Sequence, residues 1–280
     1  MITCRNDQAE LLKWGEYVLR AAGIDTAGLD AGILLDHCPD TGVFRSSINH
    51  RASRYPLQYI LKEAEFMGLP LNLREGVFIP RPETEILIEK ALEIIADMDR
   101  CPVNMLEIGT GSGNIAISLT KNVTNCRIIA SDISDAALET ASQNAEMNVV
   151  DRQIEFIKSD LFDNISSAYL GYFDIIISNP PYVKRDEIKH LEPEIAHEDV
   201  RALDGGIDGL DFYRAILDDG RRYLRSGGVV VFEIGCDQAE AIAEIIKKYP
   251  ELGNIKIFKD YNGLDRIVVI NHVSNQVRIS

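Results

Sequence analysis

From Pro82 onward, apolar β-branched runs alternate with helical stretches, and that alternation restricts the chain to one architecture. The strand-like runs fall at 104–108, 127–131, 153–158, 173–178, 228–234, 254–258 and 265–271. A helix over 83–98, with Pro82 suited to its first turn, precedes them, and helical stretches separate the first five. Strands joined through helices make a mainly parallel sheet covered on both faces, an α/β fold. Only residues 259–264 join the last two runs, too short a link for a parallel crossover, so the final strand is expected to run antiparallel.

The first sixty or so residues read differently. Leu11, Leu12, Trp14, Tyr17, Val18 and Leu19 recur at helical spacing. A second helix is expected over 26–37, with Ala31, Leu34 and Leu35 on one face, and a third near 56–61. Segments 65–71 and 72–78 read as the two arms of a short β hairpin. The expected division is a helical domain over 1–62 that recognises a partner, a hairpin connector over 63–80, and a catalytic domain over 81–280.

Composition narrows the class of protein. Apolar residues make up 46% and charged residues 26%, a globular balance, and no 18-residue apolar run suggests a membrane span. The N-terminus has no apolar core of a secretory signal. Cys4, Cys38, Cys101, Cys126 and Cys236 are scattered and form no CxxC pair, which points to reduced thiols, a cytoplasmic protein and no zinc site. The net charge is −15, and residues 81–280 carry most of it, with 21 Lys and Arg against 34 Asp and Glu. A phosphate backbone is a poor long-range partner for such a domain. No direct nucleic-acid or membrane partner is expected, and nothing calls for more than a monomer.

The strand-like run 173–178 leads into Asn179-Pro180-Pro181-Tyr182. Proline fixes φ and donates no hydrogen bond, so this turn is stiff and the Pro180 carbonyl is aimed. The Asn179 side-chain oxygen is a second acceptor. Two acceptors at a fixed separation can take both hydrogens of one planar NH2 group and hold its nitrogen towards an electrophilic methyl, with Tyr182 flat against the group. The plain alternative is a strand-ending turn. The first run ends in Met105-Leu106-Glu107-Ile108, followed by Gly109-Thr110-Gly111-Ser112-Gly113. Such a turn lets a ligand approach bare backbone. Asn114 stands where a dinucleotide fingerprint needs glycine or alanine, and there is no P-loop lysine. Asp132 ends the second run and is placed either to accept ribose hydroxyls or to cap the next helix. Asp160 follows the third run, placed to accept an adenine NH2 or simply to face solvent. Ligands in open parallel sheets sit along this carboxyl edge.

This arrangement resembles the class I S-adenosylmethionine-dependent methyltransferases, whose core is a Rossmann-like, seven-stranded, mostly parallel sheet with an antiparallel last strand. The resemblance implies that the Gly109–Gly113 turn, with Thr110 and Ser112, takes the methionine part of the cofactor. It assigns the ribose to Asp132 and the adenine to Asp160 with Leu161, and has Asn179 touch the cofactor as well. Glu107 is either a contact to the methionine part or a structural strand-end acid. Phe78-Ile79-Pro80-Arg81-Pro82-Glu83-Thr84-Glu85, Pro56-Leu57-Gln58-Tyr59-Ile60 and Ala202-Leu203-Asp204-Gly205-Gly206 with Asp208-Gly209-Leu210 are similar to motifs of the HemK/PrmC family. That resemblance implies methyl transfer to the glutamine N5 in the Gly-Gly-Gln motif of class I peptide chain release factors, leaving S-adenosyl-L-homocysteine. Asn179, Pro180 and Tyr182 would be catalytic, with Pro181 and Phe78 also lining the acceptor site. One departure is His197-Glu198-Asp199, where the family has proline after the glutamate, and only local loop shape is expected to change. Arg81 has two readings, a carboxylate bridge between domains or a place beside the substrate backbone, and its Pro-Arg-Pro setting favours the bridge.

Alternatives remain at this level. A ribosomal-protein glutamine is a second acceptor within the same family. An adenine-N6 nucleic-acid methyltransferase shares the Asn-Pro-Pro-Tyr logic but needs a basic groove. A non-catalytic module on this scaffold leaves the intact glycines unexplained, and a nicotinamide oxidoreductase conflicts with Asn114.

Overall fold

A computed structural model describes residues 5–273. Helices α1 (Arg5–Ala21), α2 (Ala27–His37) and α3 (Thr41–Ala52) bury Leu11, Leu19, Ala31, Leu34, Phe44 and Ile48 in one small core. Leu11, Gly15 and Leu19 form the inward stripe of α1 at four-residue spacing. Gly15 lets α3 close in, because a Cβ there would stand 3.0 Å from both Ile48 Cδ1 and Phe44 Cζ. Tyr17, grouped above with the apolar positions of this helix, is instead 73% exposed. The periodicity also passes over α3. Asp40 caps it, its Oδ1 accepting from Gly42 N at 2.8 Å and Val43 N at 2.9 Å.

Helix α4 (Leu57–Leu61) leads to a hairpin of β1 (Glu63–Phe66) and β2 (Leu69–Asn72). This corrects the expected hairpin, whose first arm spanned 65–71. The turn falls inside that arm, at Met67 and Gly68, both at positive φ, and 73–78 is not a strand. Two such residues build the tight turn that matches strand twist.

The remainder comprises α5 (Thr84–Ala96), β3 (Val103–Ile108), α6 (Asn114–Asn122), β4 (Cys126–Asp132), α7 (Asp135–Met147), β5 (Ile154–Lys158), β6 (Phe173–Ser178), α8 (Asp211–Tyr223), β7 (Leu224–Glu233), α9 (Ala239–Ile246), β8 (Leu252–Lys259) and β9 (Asp265–His272). The strands form one seven-stranded sheet in the order β5-β4-β3-β6-β7-β9-β8. Strands β3 to β7 pair in parallel, and β9 runs antiparallel to both β7 and β8. One expectation fails: β5 and β6 are linked by a loop holding a single 3-10 turn, Ser167–Tyr169, rather than by an α-helix. Every residue of β3 and β6 is buried. Alternation sends Met105, Ile175, Ile177 and Val231 to the face covered by α5 and α6, while Leu106, Ile176, Val230 and Phe232 meet α8 and α9 on the other.

The chain runs outward through β3, β4 and β5, then returns to lay β6 on the other side of β3. The order therefore reverses between β3 and β6. Loops leaving the carboxyl ends of those two strands diverge and leave a crevice, the usual ligand site in such sheets. The glycine turn leaves β3 there and Asn179-Pro180-Pro181-Tyr182 leaves β6. Among the described residues no helix is long and apolar enough to cross a membrane.

Candidate active site

A cavity of about 540 Å³ opens at this reversal point. Gly109, Thr110, Gly111, Ser112, Asp132, Asp160, Leu161, Asn179, Pro180, Pro181, Tyr182 and Phe78 all line it, so most of the sequence-derived site residues meet in one space. Asp132 is fixed by two backbone donors, Gly111 N to Oδ2 at 2.9 Å and Ser134 N to Oδ1 at 2.9 Å. Burial raises its carboxyl above the usual range, against the pull of those backbone bonds. The helix-cap alternative belongs to Ser134 instead, whose hydroxyl accepts from Ala137 N.

Two residues lie outside the cavity wall. Gly113, at φ +83°, begins α6, and a Cβ there would stand 3.0 Å from Ala141 Cβ and Ile117 Cδ1. It lets the glycine turn pack down on α7 rather than touching a ligand. Glu107 is fully buried beneath the turn, where its Oε2 accepts from Thr110 Oγ1 at 3.0 Å and Ala116 N at 3.1 Å. Burial pushes its carboxyl up to about 8. Of its two readings, the geometry supports the structural one: Glu107 ties the turn to α6 from below.

On the β6 side, Asn179 Nδ2 donates to Thr84 Oγ1 at 3.2 Å, and Thr84 Oγ1 donates to Glu233 Oε2 at 2.7 Å. The Tyr182 hydroxyl reaches Glu233 Oε1 at 3.4 Å. Glu233 ends β7, and its carboxyl is pushed up to about 7, chiefly by burial. With its amide NH2 engaged by Thr84, Asn179 turns its Oδ1 the other way. The Tyr182 phenol is raised first by burial and then by the charge of Glu233, so it stays neutral across the working range.

A family model described as methyltransferase small domain matches residues 84–209. The release factor glutamine methyltransferase of Thermodesulfovibrio yellowstonii is 38% identical over 227 residues, covering 81% of this chain and 80% of that protein. The chain belongs to this family. The Clostridium botulinum member is 34% identical over 92% of this chain and 97% of its own length, so the similarity reaches the helical front part. A crystal structure of ribosomal protein L11 methylase from Lactobacillus delbrueckii subsp. bulgaricus has a TM-score of 0.52 at 20% identity, covering 73% of this chain and 86% of that one, and shares the fold.

Within this family fold, two expectations about the loop after β6 change. Arg81 lines the cavity, and its guanidinium lies 5.0 Å from the Phe78 ring centre and pairs with Glu198. That carboxylate belongs to the β6–α8 loop, so the bridge does not reach the helical domain. Glu198 also accepts from Ile79 N at 3.4 Å, and its neighbours Ile195, Asp199 and Arg201 line the cavity. The His197-Glu198-Asp199 departure therefore sits at the site rather than in a remote loop. The link to the helical domain is Glu194, which takes Arg51 of α3 at 2.8 Å and Arg54 at 2.7 Å, while Arg51 also holds Asp30 of α2 at 2.7 Å.

Thr84, Glu233 and Glu194 escaped the sequence reading. Thr84 stands inside a quoted motif with no role assigned. Glu233 carried a weak signal: it follows Val229-Val230-Val231-Phe232, an apolar run that buries whatever ends it.

Proposed function

We propose that this protein transfers the methyl group of S-adenosyl-L-methionine to the side-chain amide nitrogen of the glutamine in the Gly-Gly-Gln motif of class I peptide chain release factors. The observation that carries this reading is the meeting, in one cavity, of Asp132 and the glycine turn with Asn179 and Pro180. The residues fit the cofactor. The turn presents backbone rather than side chains, Asp132 lines the cavity with each carboxylate oxygen held by one backbone donor and a lone pair to spare, and the volume is that of a small-molecule site. Gly109, Thr110, Gly111 and Ser112 would hold the methionine part, Asp132 the ribose, and Asp160 with Leu161 the adenine. When bound, the cofactor supplies a methyl on a positively charged sulfur.

The chain's own residues then have to make a poor nucleophile react. An amide lone pair is delocalised into its carbonyl. Asn179 Oδ1 and the Pro180 carbonyl accept the two amide hydrogens, which favours the positive charge developing on nitrogen as the new N–C bond forms. Fixing both hydrogens also fixes the line of approach. Tyr182 and Phe78 pack against the amide and its aliphatic stem. One amide proton leaves to water after transfer. Residues 1–62 serve partner recognition, 63–80 connect, and 81–280 carry the chemistry, acting as a monomer.

The test is transfer of labelled methyl to a purified unmethylated release factor and to its Gln→Ala variant. Label on the first alone is expected. Label on neither, or equally on both, overturns the acceptor assignment.

A further inference from the structure

We propose that Thr84 and Glu233 are positioning residues that set which way the Asn179 carboxamide faces. The proposal rests on the reading of Asn179 as the holder of the acceptor amide and extends it to two residues that touch neither substrate nor cofactor.

The argument is a count of protons. A carboxamide turned by 180° has the same shape, so packing alone does not decide whether Asn179 offers oxygen or NH2 to the cavity. Only a hydrogen-bond partner decides it. That partner is the Thr84 hydroxyl, 3.2 Å from Nδ2, which can accept from Asn179 or donate to it. Thr84 has one proton, and an ionised Glu233 only accepts, 2.7 Å away. The Thr84 proton is therefore committed to Glu233, and its oxygen is left to accept from Asn179. Asn179 Oδ1 then faces the cavity, where the acceptor NH2 needs an oxygen.

The three parts come from three places in the fold. Thr84 opens α5, Asn179 follows β6 and Glu233 ends β7. Thr84 and Glu233 are each 1% exposed, so water does not compete for these bonds. The end of β7 is pinned by Tyr213 of α8, whose hydroxyl donates to the Glu233 backbone oxygen at 2.9 Å. Tyr182 reaches the other carboxylate oxygen, so one acid steadies both the Asn179 and the Tyr182 contact to the acceptor.

The same count gives the chain a direction that can reverse. A neutral Glu233 donating from Oε2 no longer holds the Thr84 proton, which is then free to point at Asn179. The carboxamide then flips and presents NH2 to the acceptor NH2. The groups facing Glu233 are Tyr182 from the β6–α8 loop, Glu83 just before α5, which opposes its ionisation, and Arg266 of β9, which favours it. Burial places this ionisation at about 7, within reach of assay.

Methyl transfer to the release factor is measured from pH 6 to 9 for the wild type, Thr84→Val, Thr84→Ser and Glu233→Gln, with thermal melts and S-adenosylhomocysteine affinity as controls. Expected are a fall in kcat of about tenfold or more for Thr84→Val with KM nearly unchanged, recovery to within about threefold in Thr84→Ser, and an acidic limb in the wild type that Glu233→Gln lacks. Wild-type kcat in Thr84→Val, or an acidic limb that persists in Glu233→Gln, overturns the proposal. A second readout needs no acceptor: the Asn179 side-chain NH2 signal in NMR, identified by its loss in Asn179→Ala. In the wild type this signal should shift with pH through the Glu233 ionisation, and in Thr84→Val it should not. A signal that ignores pH in the wild type overturns the relay even if the acceptor is confirmed. A signal that follows pH while no label reaches any release factor sinks the acceptor assignment alone.

Discussion

Substituting Gly205 by alanine should damage catalysis from a position that touches no ligand. Residues 203–206 are laced to the segment just after Asn179-Pro180-Pro181-Tyr182. Val183 N donates to Leu203 O at 2.9 Å, Gly205 N to Val183 O at 2.8 Å, and Arg185 N to Gly206 O at 2.9 Å. A Cβ on Gly205 would stand 2.8 Å from Tyr182 Cα, 2.9 Å from Gly209 Cα and 2.9 Å from the Pro181 carbonyl oxygen. All three neighbours are backbone, so no flexible side chain can swing away. Gly205 is not among the positive-φ glycines, so the cost is contact rather than dihedral strain. Restoring an ordinary carbon contact of about 3.5 Å needs the Tyr182 backbone to retreat by roughly 0.7 Å. A displacement of about 1 Å at a reacting centre costs on the order of 100-fold, so kcat should fall about 10- to 100-fold. That is roughly 1.4–2.7 kcal/mol in the barrier, beside a stability loss of about 1–3 kcal/mol from overpacking. The assay pairs kcat at saturating acceptor with calorimetric titration of S-adenosylhomocysteine and a thermal melt. Gly32→Ala, in α2 with nothing near its added carbon, serves as the control. A Gly205→Ala protein with kcat within about twofold of wild type and an unchanged melt would refute the reasoning. So would a loss of kcat matched by an equal loss of cofactor affinity, since the glycine turn lies on the other wall.

This dependence on backbone contacts between distant loops explains what could and could not be read from the sequence. The seven strands were legible because a sheet covered on both faces demands contiguous apolar runs, and β3 and β6 are wholly buried. The glycine turn, Asp132, Asp160 and Asn179 were legible because each follows such a run directly. Helix α3 was not, because only Phe44 and Ile48 give it an apolar stripe and its start is written in the Asp40 cap. The hairpin was misplaced because Met67 takes positive φ, which non-glycine side chains rarely do. The partners of Thr84, Glu233, Glu194 and Glu198 could not be read locally, although the run before Glu233 hinted at its burial. Each residue acts through a partner 95 to 149 positions away. Glu107 shows the opposite limit: its position at a strand end was visible, but its complete burial was not.

Three further outcomes follow from the same geometry. Asn179→Ala should lower kcat by about 2–4 kcal/mol in barrier terms, the scale of one lost preorganised contact, with cofactor binding retained in titration calorimetry. Glu194→Ala leaves Arg51 buried with Asp30 as its remaining acid, and should destabilise the fold by about 1–3 kcal/mol in urea unfolding. Glu107→Gln should change the slope of stability against pH. Burial raises the Glu107 carboxyl in the folded chain from 4.5 to about 8. Between those values the folded state holds a proton that the unfolded state has released, so wild-type stability falls as pH rises through that window. Glutamine keeps the shape, including the acceptor for Thr110 and Ala116, and has no proton to lose. The two proteins should therefore melt alike near pH 5, and the variant should pull ahead by pH 9, by on the order of a few kcal/mol. Parallel melting curves across that range would mean that Glu107 ionises in place at little cost, and that the glycine turn rests on a charged acid rather than a neutral one.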